Sequence, residues 1–360
     1  MFDFKSFLVL LSQMNIFLDD RKCREQLFPF THTRHVADIR IGILTIKEKW
    51  ELLTGERIYT SHEELPGNEL HIHADLIPTP KNFHAILKAA NDRISMFDNA
   101  EIRILHHPWN IFQFNDWAIR HDFDLLTENR RSQPISSTNR FTNEEKIFIE
   151  EGAVVEHSIL NASTGPIYIG KNAVVMEGSL VRGPFSLGEQ AVLKMGSKIY
   201  GATSVGPNCV AAGEIKNTVF FEFSNKAHDG YLGDSVIGAW CNLGAGTTNS
   251  NVKNTGGTVK YILDKSMKTI PAGNKAGLLM GDYSRAAINT SFNTGSVVGV
   301  CCNVFGQQLP PKFIENFSWG NDRYLFEKAL KDIENWKTMK QQTLTEKETA
   351  ILQQLYLSNQ

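Results

Sequence analysis

The chain lacks any CxxC pair, and its cysteines (Cys23, Cys209, Cys241, Cys301 and Cys302) are odd in number and scattered. That pattern argues against a structural zinc or a disulfide framework, and for reduced, partly buried thiols in a cytosol. There is no charge excess of either sign. With 37 Lys and Arg against 39 Asp and Glu, the formal charge is −2, so nucleic acid is not an expected partner. Long apolar runs are also missing. Phe7 to Leu11 is far too short to cross a bilayer, only Lys5 precedes it, and no small-residue cleavage site follows. The expectation is that translation starts at Met14 and that 1–13 are a non-native or dispensable leader rather than a signal peptide.

A sixfold period is present. Ile169, Val175, Val181, Leu187, Leu193, Ile199 and Val205 are aliphatic without a miss, and Gly170, Gly188 and Gly206 follow three of them. A helix would repeat its apolar residues about every 3.6 positions and a half-buried strand every second one. A period of six fits neither. It fits a parallel β-helix of hexapeptide repeats, in which each aliphatic residue points into a narrow prism and three hexads close a coil of about 18 residues. The hexads begin near Ile147, resume at Ile215, and show again at Ile237 and Leu243. Thr247 to Lys275 breaks the period and reads as a long loop or hairpin thrown out from a corner, where solenoids carry ligand contacts. Pro310-Pro311 ends the solenoid.

The flanks differ. Residues 14–126 read as alternating short strands and helices, hence an α/β domain. Asn15 to Leu18 is a first buried strand, Ile39 to Trp50 is amphipathic at helical spacing, and Leu70 to Ile77 is a strand. A helix from Asn82 to Asn91, a strand from Ile102 to Leu105 and a helix from Trp109 to Ile119 follow. Residues 127–146 have the composition of a linker, 147–312 form the β-helix, and 313–360 are helical. In that tail Tyr324, Leu325, Ala329, Ile333 and Trp336 form a stripe, and Thr345 to Glu348 has the form of a capping box. The bland role for these helices is a cap over the open end of the solenoid.

The densest polar cluster sits in the solenoid. Glu214-Ile-Lys-Asn217, His228-x-x-Tyr-Leu-Gly-Asp234 and Asn242-Leu-Gly-Ala-Gly246 resemble the acyltransferase half of the bifunctional sugar-1-phosphate nucleotidylyltransferase/acetyltransferases. Their type is the N-acetylglucosamine-1-phosphate uridylyltransferase/glucosamine-1-phosphate acetyltransferase. The resemblance implies an α/β nucleotidyltransferase-like domain followed by a left-handed β-helix. It also implies acetyl-CoA as acyl donor, a sugar-1-phosphate as acceptor, and a homotrimer in the cytoplasm with coenzyme A lying between neighbouring solenoids.

In that family a histidine at the place of His228 is the general base, a role suited to an imidazole that must take the proton an amine loses on attacking a thioester. By the same resemblance Asn242 holds the amino group and Ala245 turns its backbone N–H to the thioester oxygen. Tyr231 and Asn251 contact the sugar, and Lys216 binds its phosphate. Lys198, 18 residues earlier, is expected to stack one coil below Lys216 and complete a phosphate seat. Each position also has a plain reading: a solvated histidine, lysines that keep sheet edges from pairing, an asparagine ladder. The family's serine contact to coenzyme A falls at Ile288, which cannot supply it.

In the N-terminal domain, Leu27-Phe-Pro-Phe-Thr-His-Thr-Arg34 resembles the second half of a nucleotidylyltransferase signature, and Arg34 to Thr45 looks like a subgroup of sugar nucleotidylyltransferases attached to such β-helices. The glycine-rich loop is absent, since Asp19 to Arg24 contains no glycine. Arg21, Lys22, Arg24 and Arg34 would then bind phosphate by side chains, with Arg24 and Arg34 as the nucleotide-binding candidates and Asp75 as the Mg²⁺ carboxylate. His71, His73, His106 and His107 have no acidic partner at ligand spacing. Three readings stay open: an acyltransferase with or without nucleotidyl transfer, a nucleotidylyltransferase with a purely structural β-helix, and a non-catalytic sugar-nucleotide-binding scaffold.

Overall fold

The computed structural model describes residues 15–358 apart from 62–64, 66, 97 and 100, so the expected leader at 1–13 lies outside the described residues. Strand β1 (Asn15–Asp19) is the buried centre of a small parallel sheet. A hairpin of β2 (Arg40–Ile41) and β3 (Leu44–Thr45) leads into helix α1 (Ile46–Thr54). Strands β4 (Ile58–Tyr59) and β5 (Glu69–His73) then flank β1. The helix expected from Ile39 therefore starts seven residues later. Gly42, at φ +77°, turns the hairpin, and Thr45 and Glu48 form the capping box that sets the helix start.

After β5 the chain turns at Ala74-Asp75 into β6 (Leu76–Ile77). Helix α2 (Phe83–Asn91) follows, and β7 (Arg103–Ile104) pairs antiparallel with β6. The single helix expected from Trp109 is two, α3 (Asn110–Gln113) and α4 (Asn115–Thr127). The fully buried Asn115 at the break bridges elements, accepting from the Gly42 N–H and donating to the Ala202 carbonyl.

The solenoid is a stack of parallel rungs. Ile167 pairs with Phe185 and Phe185 with Thr203, while Val174 pairs with Val192 and Val192 with Val210. All seven residues of the sixfold series are buried in one continuous inner core. The rungs begin at Arg140–Thr142 and continue to Ser318–Trp319, so both ends exceed the expected 147–312. The first rung was hidden because all three of its residues are exposed and none supplies an inward aliphatic.

Coil length is not constant. Lys198 pairs with Glu214, sixteen residues on, because the corner Lys194 to Ser197 shrinks to Ala212-Gly213 in the next coil, with Gly213 at φ +82°. The following corner is reduced to Asn217, so Glu214–Phe220 runs round it as one strand, and Tyr231–Ile237 repeats this above with Asp234. Val236 pairs with Leu279 instead of a near neighbour, since the intervening chain leaves as a hairpin of Lys260–Ile262 and Thr269–Pro271.

One outer face of the solenoid is itself a core. Val219, Val236, Leu279 and Val297 alternate with inward residues, and their outward side chains join Leu18, Phe30, Trp50 and Phe112 of the N-terminal domain in a single buried cluster. The hairpin joins as well, through Val259 and Tyr261, and Tyr261 stacks on Trp109 with ring centroids 5.1 Å apart. Burying each such side chain contributes about 1.5–3 kcal/mol. The two domains accordingly share one core rather than meeting at a wet, mobile seam.

Helices α5 (Phe326–Met339) and α6 (Glu346–Ser358) correct the expected end cap. They lie along a side. Ala329, Ile333, Leu352 and Leu355 pack on Tyr283, Val300, Cys301 and Phe317, which stack at one solenoid corner. The Lys340 ammonium reaches back to the Asn208 carbonyl and the Asn225 side chain. Thr345 and Glu348 make the capping box of α6.

Candidate active site

The corner after Asn225–Lys226 carries His228, which is exposed; among the described residues nothing bonds its ring. The corner of the next coil sits on top of it, since the Gly246 N–H donates to the Asp229 carbonyl at 3.2 Å. Ala245 is thereby placed over His228. Its neighbours Gly244 and Gly246 both spend their N–H groups on adjacent coils, whereas the Ala245 N–H has no acceptor among the described residues. Ile288, 68% exposed, stands one coil higher, where the Asn289 N–H donates to the Ala245 carbonyl. Asn242 faces outward between Asn225 and Arg285 on neighbouring rungs.

Around the corner, the Asn251 amide donates to the Tyr231 hydroxyl at 2.9 Å and to the Asp234 carboxylate. The other Asp234 oxygen accepts from Asn217 at 2.7 Å. Tyr231 and Asn251 are thus held side by side, with Asp234 and Asn217, two motif residues that had no assigned role, anchoring Asn251. Burial raises the Tyr231 hydroxyl to about 12, so it is a neutral donor at ordinary pH. Asn249 reads the backbone of Gly233 with both amide atoms, which fixes the strand under Tyr231.

Lys198 and Lys216 are both exposed and share this face, but they do not stack. Glu214 stands opposite Lys198, and Gly233 opposite Lys216. The expected pairing assumed a full coil. The shortened corner at Ala212-Gly213 shifts Lys216 by two residues, about 7 Å along the strand.

The arginines of the N-terminal loop are already paired, and Lys22 is exposed. Arg21 grips Asp19 with two bonds of 2.8 and 2.6 Å, and Arg24 reaches Asp20 at 2.8 Å. Burial would raise the Asp20 carboxyl, but its contacts with His35 and Arg24 outweigh this and hold it at about 2. Arg34 faces the solenoid: it pairs with Asp282 at 2.6 Å and Glu222 at 3.2 Å, with its guanidinium 4.7 Å above the Phe221 ring. Asp75 is buried with one carboxylate oxygen unpartnered, and burial raises its pKa. A single such oxygen is a weak donor set. Among the described residues no three His, Cys, Asp or Glu side chains converge to hold a metal ion.

Residues 15–94 match the family of sugar nucleotidyl transferases. A bifunctional protein GlmU of Methanococcus maripaludis is 32% identical over 272 residues, 73% of this chain and 59% of that protein. A bifunctional sugar-1-phosphate nucleotidylyltransferase/acetyltransferase of Sulfurisphaera tokodaii is 33% identical over 96 residues, covering 26% of this chain and 23% of its own. The chain is similar to these bifunctional proteins. It spans less than two thirds of the length of the M. maripaludis relative. Among solved structures, an Arabidopsis UDP-N-acetylglucosamine acyltransferase overlaps 51% of this chain and 72% of its own at 16% identity, with a TM-score of 0.19, too low to bear on the argument.

Lys226 is a residue to which the motifs assigned no role. It occupies an inward position of the solenoid ladder, paired with Ala211 on the coil below, and is 1% exposed. Its ammonium bends to the His228 carbonyl. The only signal in the sequence was a lysine where the hexad asks for an aliphatic.

Proposed function

We propose that this chain is a transferase of amino-sugar-phosphate metabolism that moves an acyl group from acyl-coenzyme A to the amine of a sugar-1-phosphate, with His228 as general base. The observation that carries the reading is the stacked corner, where the turn bearing the unbonded His228 imidazole lies beneath the turn bearing the unengaged Ala245 N–H. The amine attacks the thioester carbonyl and His228 takes the proton it loses, a task typically worth about 10²–10⁴ in rate. The carbonyl oxygen gains negative charge and accepts from the Ala245 N–H, a donor of the kind worth about 3–4 kcal/mol. Collapse expels the coenzyme A thiolate, which is protonated. Asn242 orients the amine, Tyr231 and Asn251 the sugar, and Lys216 and Lys198 attract its phosphate from separate positions.

The finer features belong to the same proposal. A homotrimer would seat coenzyme A between solenoids, on the outer side where Ile288 and Tyr200 are exposed. A cytoplasmic setting suits five cysteines that are all unpaired and buried. Among the described residues no helix is long and apolar enough to cross a membrane. A second reading, nucleotidyl transfer by the N-terminal domain with Arg24, Arg34 and Mg²⁺ at Asp75, is favoured by the family match at residues 15–94. The paired arginines and the missing glycine loop weigh against it.

The test is thiol release from acetyl-coenzyme A with glucosamine-1-phosphate, run beside Mg²⁺-dependent pyrophosphate release from a nucleoside triphosphate and the sugar phosphate. Thiol release supports acyl transfer. Pyrophosphate release without thiol release moves the activity to the N-terminal domain, and neither signal leaves a sugar-nucleotide-binding scaffold.

A further inference from the structure

Asn217, Asp234, Asn251 and Tyr231 form a chain of hydrogen bonds that can run in one direction only. Asp234 is 4% exposed, and a carboxylate offers acceptors alone. One of its oxygens takes the Asn217 amide at 2.7 Å and the other takes the Asn251 amide. Asn251 must therefore turn its nitrogen toward Asp234, and that nitrogen spends its second hydrogen on the Tyr231 hydroxyl at 2.9 Å. An amide nitrogen has two hydrogens to give, so it is saturated. Two groups are left over. The Asn251 carbonyl oxygen has no partner among the described residues and is not one of the buried unpaired atoms, so it is open to solvent. The Tyr231 oxygen is engaged as an acceptor, and its own proton has no acceptor among the described residues.

The tyrosine ring is steered as well. A Cβ added to Gly233 would lie 2.2 Å from the Tyr231 hydroxyl oxygen, so the ring folds along its own strand over a residue that has to lack one. Gly233 stands opposite Lys216 on the coil below, about 4.8 Å away across the ladder. The spare donor of Tyr231 and the spare acceptor of Asn251 thus open beside the cation assigned to the sugar phosphate. A phosphate oxyanion can satisfy the donor but not the acceptor. A hydroxyl satisfies both with one oxygen.

We infer that Asp234 is a positioning residue that fixes the polarity of the Tyr231–Asn251 pair, one outward donor beside one outward acceptor, and that the pair recognises a ring hydroxyl of the acceptor sugar. The polarity belongs to the chain itself; the identity of the ligand rests on the proposed function.

The experiment exchanges carboxylate and amide. Asp234→Asn combined with Asn251→Asp keeps the charge and nearly the volume, and every internal bond can be remade. The transplanted carboxylate then takes the Tyr231 proton, and the outward donor is lost. A purely structural role predicts full rescue. The inference predicts a melting temperature close to that of wild type, with the KM for glucosamine-1-phosphate in the thiol-release assay raised at least about tenfold. The kcat and the KM for acetyl-coenzyme A should change little. Tyr231→Phe keeps the ring and should show the same rise, which decides the matter should the exchanged variant not fold. Of the singly deoxygenated analogues of glucosamine-1-phosphate, one should serve wild type as poorly as the parent sugar serves Tyr231→Phe. An unchanged KM in both variants overturns the inference. A second readout needs no substrate. The side-chain amide hydrogens of Asn251, followed by NMR in isotope-labelled full chain, should exchange slowly in wild type and at least about tenfold faster in Asp234→Asn; equal exchange overturns the assigned polarity. Wild type that turns over no sugar phosphate would strike the acyl-transfer reading and the hydroxyl with it, whereas the role of Asp234 stands or falls on the exchange rates.

Discussion

The Lys226 ammonium donates to the His228 carbonyl at 2.8 Å, from a side chain that starts among inward-facing aliphatics. Burial is the largest influence on it and pushes its pKa down to about 8, against which Asp229 gives some support. In the unfolded chain it returns to about 10.5. Between those values the unfolded state binds more protons, so this group makes stability rise with pH from about 8 to 10.5, and its penalty is fully present below 8. Lys226→Met should therefore be more stable than wild type at pH 7 by about 2–3 kcal/mol, the gap closing by pH 10.5. Chemical denaturation at several pH values measures it. Losing the tie to the His228 corner should meanwhile lower acyl transfer, about tenfold, mainly in kcat.

Arg34 reaches across 248 residues of sequence to Asp282. Asp282 is buried and also accepts from Thr33 and from the Ala239 N–H. Arg34→Met leaves that carboxylate uncompensated and should cost about 3–5 kcal/mol. Glu222→Gln, at the more exposed arm, should cost much less. Urea unfolding of both variants checks the order, and a smaller loss for Arg34→Met than for Glu222→Gln would remove Arg34 as the main clamp.

His32 bonds to Asn316 across the same seam. Burial, reinforced by the Arg24 charge and only partly offset by Asn316, lowers its pKa to about 4. Its unfolded value is 6.5, so the unfolded chain takes up the proton first as pH falls. Stability is lost between pH 6.5 and 4, by up to about 3 kcal/mol. His32→Asn should flatten that part of the profile; an unchanged slope would assign the acid sensitivity elsewhere.

The inner core was legible because every sixth residue must be aliphatic to fill the prism, and Ile169 through Val205 obey this. The docking face was written in the sequence too, as apolar residues in direct succession at Val236-Ile237, Leu278-Leu279-Met280 and Val297-Val298. Such doublets mean burial on both sides of a strand; a period of six looks only inward. Register was less legible. Two residues missing from one corner, compensated by Gly213, moved Lys216 off Lys198, and composition does not reveal a shortened coil.

At the site, His228, Ala245, Tyr231 and Asn251 were expected from the family resemblance alone, and they lie on adjoining corners and faces of the solenoid. Their supports were not. Asp234, itself held by Asn217 from left-handed corner positions, anchors Asn251, and Lys226 ties down the His228 carbonyl from inside. Arg24 and Arg34 read as free cations because the partner of one is a local carboxylate, and the main partner of the other lies far along the chain.

The most direct measurement compares wild type with His228→Ala for thiol release from acetyl-coenzyme A with glucosamine-1-phosphate, after both proteins are shown to melt alike. His228 is exposed, so its removal should leave stability unchanged. The account predicts turnover at least about 100-fold lower in the variant. Turnover in wild type that the substitution leaves untouched would contradict it, and would take the general base away from this corner.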